Sequence, residues 1–341
     1  MKQRYNNKIM PQIKPYILTP IALLILMLMG CDPLASQPTP AVFVITAVPS
    51  PTPRPTVTPQ ETVTPVPSLT PIVTVTSTPP ACDEEAGQVI HIDKFQSAIA
   101  NENLRYRVYI PPCYQKTQRR YPYLIMLHGA AQKEDEWEKL GGIGVEDQGF
   151  RLGVLPPMII IMPYVGTIGN NSYFPPDPSY ETVVLEELVP AIERDFCTWS
   201  DRDHRAIGGI SRGGFWAFSI GMRHPDVFGI IGGHSPYMTE DTFEIPAAFN
   251  PLELALNSAL LPEAKLRMYI DNGAEDPSGR TIELLSSRLT EQGIPHTYVI
   301  NPIGNHDDEY WSAHVSEYLT FYGHNWPRSA GDLPSCLEPS P

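Results

Sequence analysis

Ala206-Ile-Gly-Gly-Ile-Ser-Arg-Gly-Gly-Phe-Trp-Ala217 is the stretch from which the rest of this 341-residue chain can be read. A short apolar run ends there in Gly209-Ile-Ser-Arg-Gly213, a G-x-S-x-G pattern. A serine on a sharp turn between a buried strand and a helix needs neighbours with almost no side chain, because larger ones collide with the turning backbone. The pattern predicts a strand over 205–210, a nucleophilic Ser211 on the turn, and a helix over 214–223 that stops near His224-Pro225. Gly213 and Gly214 would let that helix lie close against the sheet.

Outward from this turn, residues 123–127 and 158–162 are continuous apolar runs bounded by Pro or Gly, as expected of parallel strands covered on both faces. Residues 104–110 alternate apolar and polar side chains and stop at Pro111-Pro112, which reads as an edge strand. Three more strand-like runs lie at 227–232, 266–271 and 297–301. Residues 180–196 have helical spacing, with Val183, Leu185, Leu188, Val189 and Ile192 on one side and Glu181, Glu186, Glu187 and Glu193 mostly on the other. Ile282, Leu284, Leu285 and Leu289 mark a further helix, and 307–322 a closing one with acidic residues in its first turn, where the helix dipole favours them. Strands alternating with helices predict an α/β fold: a mostly parallel sheet, helices on both faces, and working residues in loops at the carboxyl ends of strands.

A serine nucleophile needs a base within hydrogen-bond reach and a carboxylate to orient that base. When the serine sits on a strand-to-helix elbow, the acid and then the histidine follow it in the chain, each after a later strand. The strand ending at Ile270 opens into Asp271-Asn-Gly-Ala-Glu-Asp276, and the one ending at Asn301 opens into Gly304-Asn-His306. His306 is the expected base. Asp276 is the expected acid, because Gly273 permits a turn aiming it back toward His306, with Asp271 at the strand end as its rival. His296, on a strand, and His314, within the closing helix, read as structural. The acidic run Asp307-Asp308-Glu309 is no metal site on this reading, since three successive acids at a helix start point in different directions. Two backbone N–H groups must also face the oxyanion. One is expected from Arg212 and the other from the small-residue turn His128-Gly129-Ala130-Ala131, at Ala130 with Gly129 as the second choice. His128 reads as a loop residue rather than a second base. No cofactor is called for.

The N-terminal quarter has a different character. Lys2, Arg4, Lys8 and Lys14 precede the apolar run 21–29, too short to span a bilayer comfortably, so residues 1–31 read as an export signal. Its end, Leu28-Met-Gly-Cys31, resembles the lipobox of bacterial lipoproteins, which implies lipidation at Cys31 and a membrane anchor facing away from the cytoplasm. Residues 32–81 are rich in Pro and Thr, hold much of the chain's 38 prolines, and predict an extended, semi-rigid linker on the order of 100 Å long. Residues 82–341 form one domain. Outside the cytosol, Cys82, Cys113, Cys197 and Cys336 are expected to be oxidised, Cys82 with Cys113 and Cys197 with Cys336, which staples both ends of the domain to its body. Of 24 basic and 38 acidic residues, five and two precede Cys82, so the domain carries a net charge of about −17 and nucleic acid is excluded as a partner.

Taken together, Tyr121-Pro-Tyr-Leu-Ile-Met-Leu-His-Gly129, Gly209-Ile-Ser-Arg-Gly-Gly-Phe-Trp-Ala217, His224-Pro-Asp-Val-Phe228 and Gly304-Asn-His306 through Trp311 resemble the esterase D / putative esterase family of the α/β-hydrolase fold. The resemblance covers roughly residues 104–322. It implies a serine ester hydrolase with Ser211, Asp276 and His306 as its triad, and Asn305 stands where the family often has Gly. Feruloyl esterases and acyltransferases both occur in that family, so the expected substrate is a small-molecule or carbohydrate-linked ester. A catalytically inactive surface binding module and an acyltransferase of the same fold are the competing readings. Trp137, Tyr173 and Phe174 lie in loops that could either contact an aromatic or glycosyl group or simply pack.

Overall fold

The computed structural model describes residues 85–337. Its centre is an eight-stranded sheet made of β1 (Gln88–Ile92), β2 (Tyr106–Ile110), β3 (Tyr123–Leu127), β4 (Ile159–Pro163), β5 (Arg205–Ile210), β6 (Ile230–His234), β7 (Arg267–Gly273) and β8 (Thr297–Asn301). The spatial order is β1-β2-β4-β3-β5-β6-β7-β8. The first two pairings are antiparallel and the other five parallel. This is the mostly parallel sheet that the alternation of strands and helices predicts.

Why the central strands read as unbroken apolar runs is visible in how their side chains divide. Along β3, Tyr123, Ile125 and Leu127 join one core while Leu124 and Met126 join the other. In β4, Ile159 and Ile161 face the first core, and Ile160 and Met162 the second. The first core is roofed by α3 (Arg212–Arg223), through Phe215, Trp216 and Ile220, and by α5 (Gly279–Glu291), through Ile282, Leu285 and Leu289. The second is roofed by α1 (Gly142–Arg151) and α6 (Asp308–Gly323), the latter through Tyr318, Leu319 and Tyr322. Each such large apolar side chain removed from water contributes roughly 1.5–3 kcal/mol before the cost of ordering it.

Three expectations need correction, and two elements go beyond the sequence reading. The strand predicted at the edge, β2, is internal, because β1 pairs along all of it, from Gln88 opposite Ile110 to Ile92 opposite Tyr106. Its alternation reflects a polar Arg107, which snorkels out to Glu138 at 2.8 Å, rather than an open edge. The run at 227–232 becomes a strand only from Ile230, since Val227 and Phe228 still donate back to the His224 carbonyl in the turn that ends α3. On α2 (residues 180–195), Glu181 is buried, not outward, and its carboxylate pairs with Arg223 and with His224 at 2.9 Å. That helix also widens into a π-helical segment over Val183–Leu188, and α4 (Pro251–Asn257), capped by Asn250, has no counterpart in the sequence reading. By contrast, the Cys197–Cys336 disulfide is present, closing a separation of 139 residues. Cys31, the leader, the Pro/Thr-rich segment and Cys82, expected to pair with Cys113, lie outside the described residues.

Candidate active site

Ser211 stands between β5 and α3 with φ 51° and ψ −118°, a backbone conformation costing on the order of 1–3 kcal/mol for a residue with a side chain. The neighbouring glycines make this turn possible. A Cβ on Gly213 would sit 2.5 Å from the Leu127 carbonyl oxygen, and one on Gly209 would sit 2.6 Å from the Gly213 backbone. The elbow is fixed from the sheet side as well: the Ser211 N–H donates to the His234 carbonyl at 3.1 Å, and the Tyr237 N–H donates to the Ser211 carbonyl at 2.8 Å.

The two other candidate residues converge on this serine. Past the end of β8, His306 lies with Nε2 2.9 Å from Ser211 Oγ and Nδ1 3.1 and 3.2 Å from the two Asp276 carboxylate oxygens. The loops carrying them are joined by backbone bonds, from Ala274 N–H to the Asn301 carbonyl at 2.8 Å and from Glu275 N–H to the Gly304 carbonyl at 3.0 Å. Asn305 fits the histidine turn by accepting the His306 N–H on its own Oδ1 at 2.8 Å. Burial acts to raise the Asp276 pKa, but hydrogen bonds from His306 and from the Ser278 N–H outweigh it and hold the carboxyl below its ordinary value. Asp276 is therefore ionised at neutral pH. An ionised acceptor at Nδ1 fixes the proton there and turns the lone pair of Nε2 toward the serine hydroxyl.

At the oxyanion side the structure narrows the choice. The loop after β3 rests on the nucleophile, since a Cβ on Gly129 would lie 3.3 Å from Ser211 Cβ. The Gly129 N–H already donates to Gln132 Oε1 at 2.7 Å, which of the two expected donors favours Ala130. Gln132 was not visible as a functional residue in the sequence. It closes the turn on one side and donates to Asp308 in the first turn of α6 at 3.1 Å on the other, so it ties the oxyanion loop to the helix that follows His306. The Arg212 guanidinium is turned away, bonded to the Asn171 carbonyl at 2.9 Å and Ser172 Oγ at 3.1 Å, so Arg212 can serve the site through its backbone N–H.

The remaining candidates are accounted for elsewhere. His128 accepts the Val165 N–H on Nε2 at 3.1 Å and donates from Nδ1 to the Gly129 carbonyl at 2.7 Å, and burial lowers its pKa, so it is a neutral loop brace. His296 bonds Ser286 and the Ile294 carbonyl, and His314 faces Glu317 on the surface of α6. Trp137 is buried and donates to the Leu127 carbonyl at 3.2 Å, and Phe174 stacks on Phe249 in the core, so both pack; Tyr173 is 54% exposed. Asp271 does not reach His306. It is fully buried and accepts from His234, Tyr310 and Tyr318. Among the described residues no group of three or more His, Cys, Asp or Glu side chains could hold a metal ion.

The family described as Putative esterase matches residues 97–326 of this sequence. The chain belongs to that family. The matched region is thus a serine carboxylic ester hydrolase domain of the α/β-hydrolase fold. Among curated proteins, an endo-1,4-beta-xylanase/feruloyl esterase of Xylanibacter ruminicola is 34% identical over 148 residues, 39% of this chain and 20% of that protein. An esterase of Mycobacterium tuberculosis is 32% identical over 146 residues, 42% of this chain and 31% of that protein. The chain thus spans only a fifth to a third of the length of these two relatives. Among solved structures, a ferulic acid esterase superposes with a TM-score of 0.63 at 26% identity, covering 70% of this chain and 99% of that one. A fluorophosphonate-binding serine hydrolase of Staphylococcus aureus shares the fold at a TM-score of 0.59 and 19% identity, with coverage of 70% and 99%.

Proposed function

We propose that this putative-esterase-family protein hydrolyses carboxylic esters through Ser211, His306 and Asp276, exported and held at the membrane by a lipid on Cys31. The observation that carries the reading is the single imidazole bridging Ser211 Oγ at 2.9 Å and the ionised Asp276 at 3.1 Å. In the acylation half, His306 Nε2 takes the Ser211 proton as Oγ bonds to the ester carbonyl carbon. The oxyanion that forms accepts from the Arg212 and Ala130 N–H groups, which need no reorganisation because the elbow and its neighbouring loop are already fixed. Collapse breaks the bond to the alcohol oxygen, which leaves with the proton from His306. Water then attacks the acyl-enzyme, giving its proton to His306 and releasing the acid, and Ser211 recovers its proton.

Small-molecule and carbohydrate-linked esters of the feruloyl type are the substrates this reading favours. Support comes from two similar proteins named as an endo-1,4-beta-xylanase/feruloyl esterase and a ferulic acid esterase, and the proposed export would bring the enzyme to such esters outside the cell. The test is purified protein against p-nitrophenyl acetate and methyl ferulate, with fluorophosphonate labelling in parallel. Turnover and labelling that both disappear in Ser211→Ala are the expected result. An unlabelled, inactive but folded wild type would favour a surface binding module instead, and transfer of the acyl group to added alcohols or sugars in preference to water would favour an acyltransferase. Labelling of whole cells with [3H]palmitate, lost in Cys31→Ala, checks the anchor.

A further inference from the structure

Behind the serine–histidine pair lies a second charge centre that takes no part in the proton transfers above. Asp271, at the end of β7, is fully buried and its carboxylate accepts from three groups: His234 Nδ1 at 2.8 Å, Tyr310 Oη at 2.5 Å and Tyr318 Oη at 3.0 Å. His234 Nε2 in turn faces Tyr322 Oη at 2.9 Å, and its ring stacks on Tyr318 with centroids 3.5 Å apart. Burial raises the pKa of Tyr310, Tyr318 and Tyr322, with the Asp271 charge adding to it, so all three stay protonated.

Two of these contacts lead straight to the reacting groups. His234 ends β6, and it is its carbonyl that accepts the Ser211 N–H. Tyr310 follows His306 by four residues in the first turn of α6, whose cap is Asp307. Its ring fills the space beneath the histidine loop so closely that a Cβ on Gly304 would lie 2.2 Å from it, and its hydroxyl also receives Asn301 Nδ2 at 2.9 Å. Tyr318, two turns further along α6, makes the same kind of bond to Asp271 but has no such link to the loop.

We propose that Asp271 is a positioning residue for ester hydrolysis: by holding His234 and Tyr310 on one buried carboxylate, it fixes the strand end that carries Ser211 relative to the loop that carries His306. This rests on the reading of Ser211 and His306 as the reacting pair. In Asp271→Asn the carboxylate charge is lost and one acceptor oxygen becomes an NH2 group, so either a tyrosine hydroxyl loses its acceptor or His234 changes tautomer, and the bonds joining the two elements weaken. A shift of about 1 Å between a nucleophile and its base costs on the order of 100-fold in rate.

The decisive comparison is Tyr310→Phe against Tyr318→Phe, because each removes one hydroxyl from the same carboxylate. Turnover is measured per serine titrated with fluorophosphonate, so that misfolded molecules do not count. The expected result is a kcat per titrated site lowered about tenfold in Tyr310→Phe, with KM within about twofold of wild type, and an unchanged kcat per titrated site in Tyr318→Phe. Asp271→Asn, where it folds, is expected to fall by about 10- to 100-fold in the same quantity. Wild-type turnover per titrated site in Tyr310→Phe, or equal losses in the two tyrosine variants, would overturn the proposal. Persistent hydrolysis in Ser211→Ala would instead overturn the site reading on which it stands.

Discussion

Two carboxylates leave the same strand five residues apart and meet opposite fates. Asp276, in the loop past β7, reaches back to the His306 imidazole, whose other nitrogen faces Ser211 Oγ. Asp271, still on the strand, is fully buried and holds a histidine and two tyrosines. The difference teaches that position relative to the strand end decides which acid can reach the imidazole. A side chain on the strand points into one core or the other, where its partners come from packed elements, and only the turn after Gly273 brings a carboxylate round to the imidazole.

That contrast can be broken at several levels. The largest effect belongs to the serine itself: Ser211→Ala is expected to lower kcat by about 10^5- to 10^6-fold with an unaltered melting temperature, measured on p-nitrophenyl acetate. Next comes the acid pair. Asp276→Asn removes the ionised partner that fixes the His306 tautomer and is expected to cost about 10^4-fold in kcat. Asp271→Asn should cost far less activity but more stability, since it removes the buried charge on which His234, Tyr310 and Tyr318 converge. If the two lost activity equally while melting alike, the division of labour between them would be wrong.

Stability probes sharpen the comparison further. Gly213→Ala places a methyl group 2.5 Å from the Leu127 carbonyl, and overpacking of this kind costs about 1–3 kcal/mol, to be read from urea unfolding. Asp276 also predicts a pH dependence. Its folded pKa is below the ordinary carboxylate value, so its contribution to stability is complete above the unfolded pKa of about 4 and is lost as pH falls through the lower folded value. The stability difference between wild type and Asp276→Asn should therefore be constant from neutral pH down to about 5 and shrink below 4. A difference that changes instead between pH 6 and 8 would mean that some other group is responsible.

How far the site could be read from residues alone follows from the same physics. Ser211, Asp276 and His306 sit next to glycines at the ends of apolar runs, so local chain geometry announces them, and the structure brings all three together. The bond that occupies the Gly129 N–H depends on where the Gln132 side chain folds, which no spacing encodes. Tyr310, Tyr318 and Tyr322 look in sequence like the apolar stripe of an amphipathic helix, and only the approach of β6 and β7 turns their hydroxyls into a network around Asp271. Likewise nothing in residues 88–92 announces β1, and β2 reads as an edge, because a strand's neighbours are set by chain segments far away. Glu181 read as solvent-facing since its partners, Arg223 and His224, arrive from the end of another helix.

The Cys197–Cys336 bond has a topological consequence for how the protein would survive attack by proteases. It closes the intervening chain into a covalent ring, and Ser211, Asp276 and His306 all lie inside that ring. The exposed stretch from Glu240 to Glu244, between β6 and α4, is an obvious place for a cut. A single cut there opens the ring without releasing either part. The nicked molecule should run as one band on a non-reducing gel and two on a reducing one, and should keep its hydrolytic rate until the disulfide is reduced.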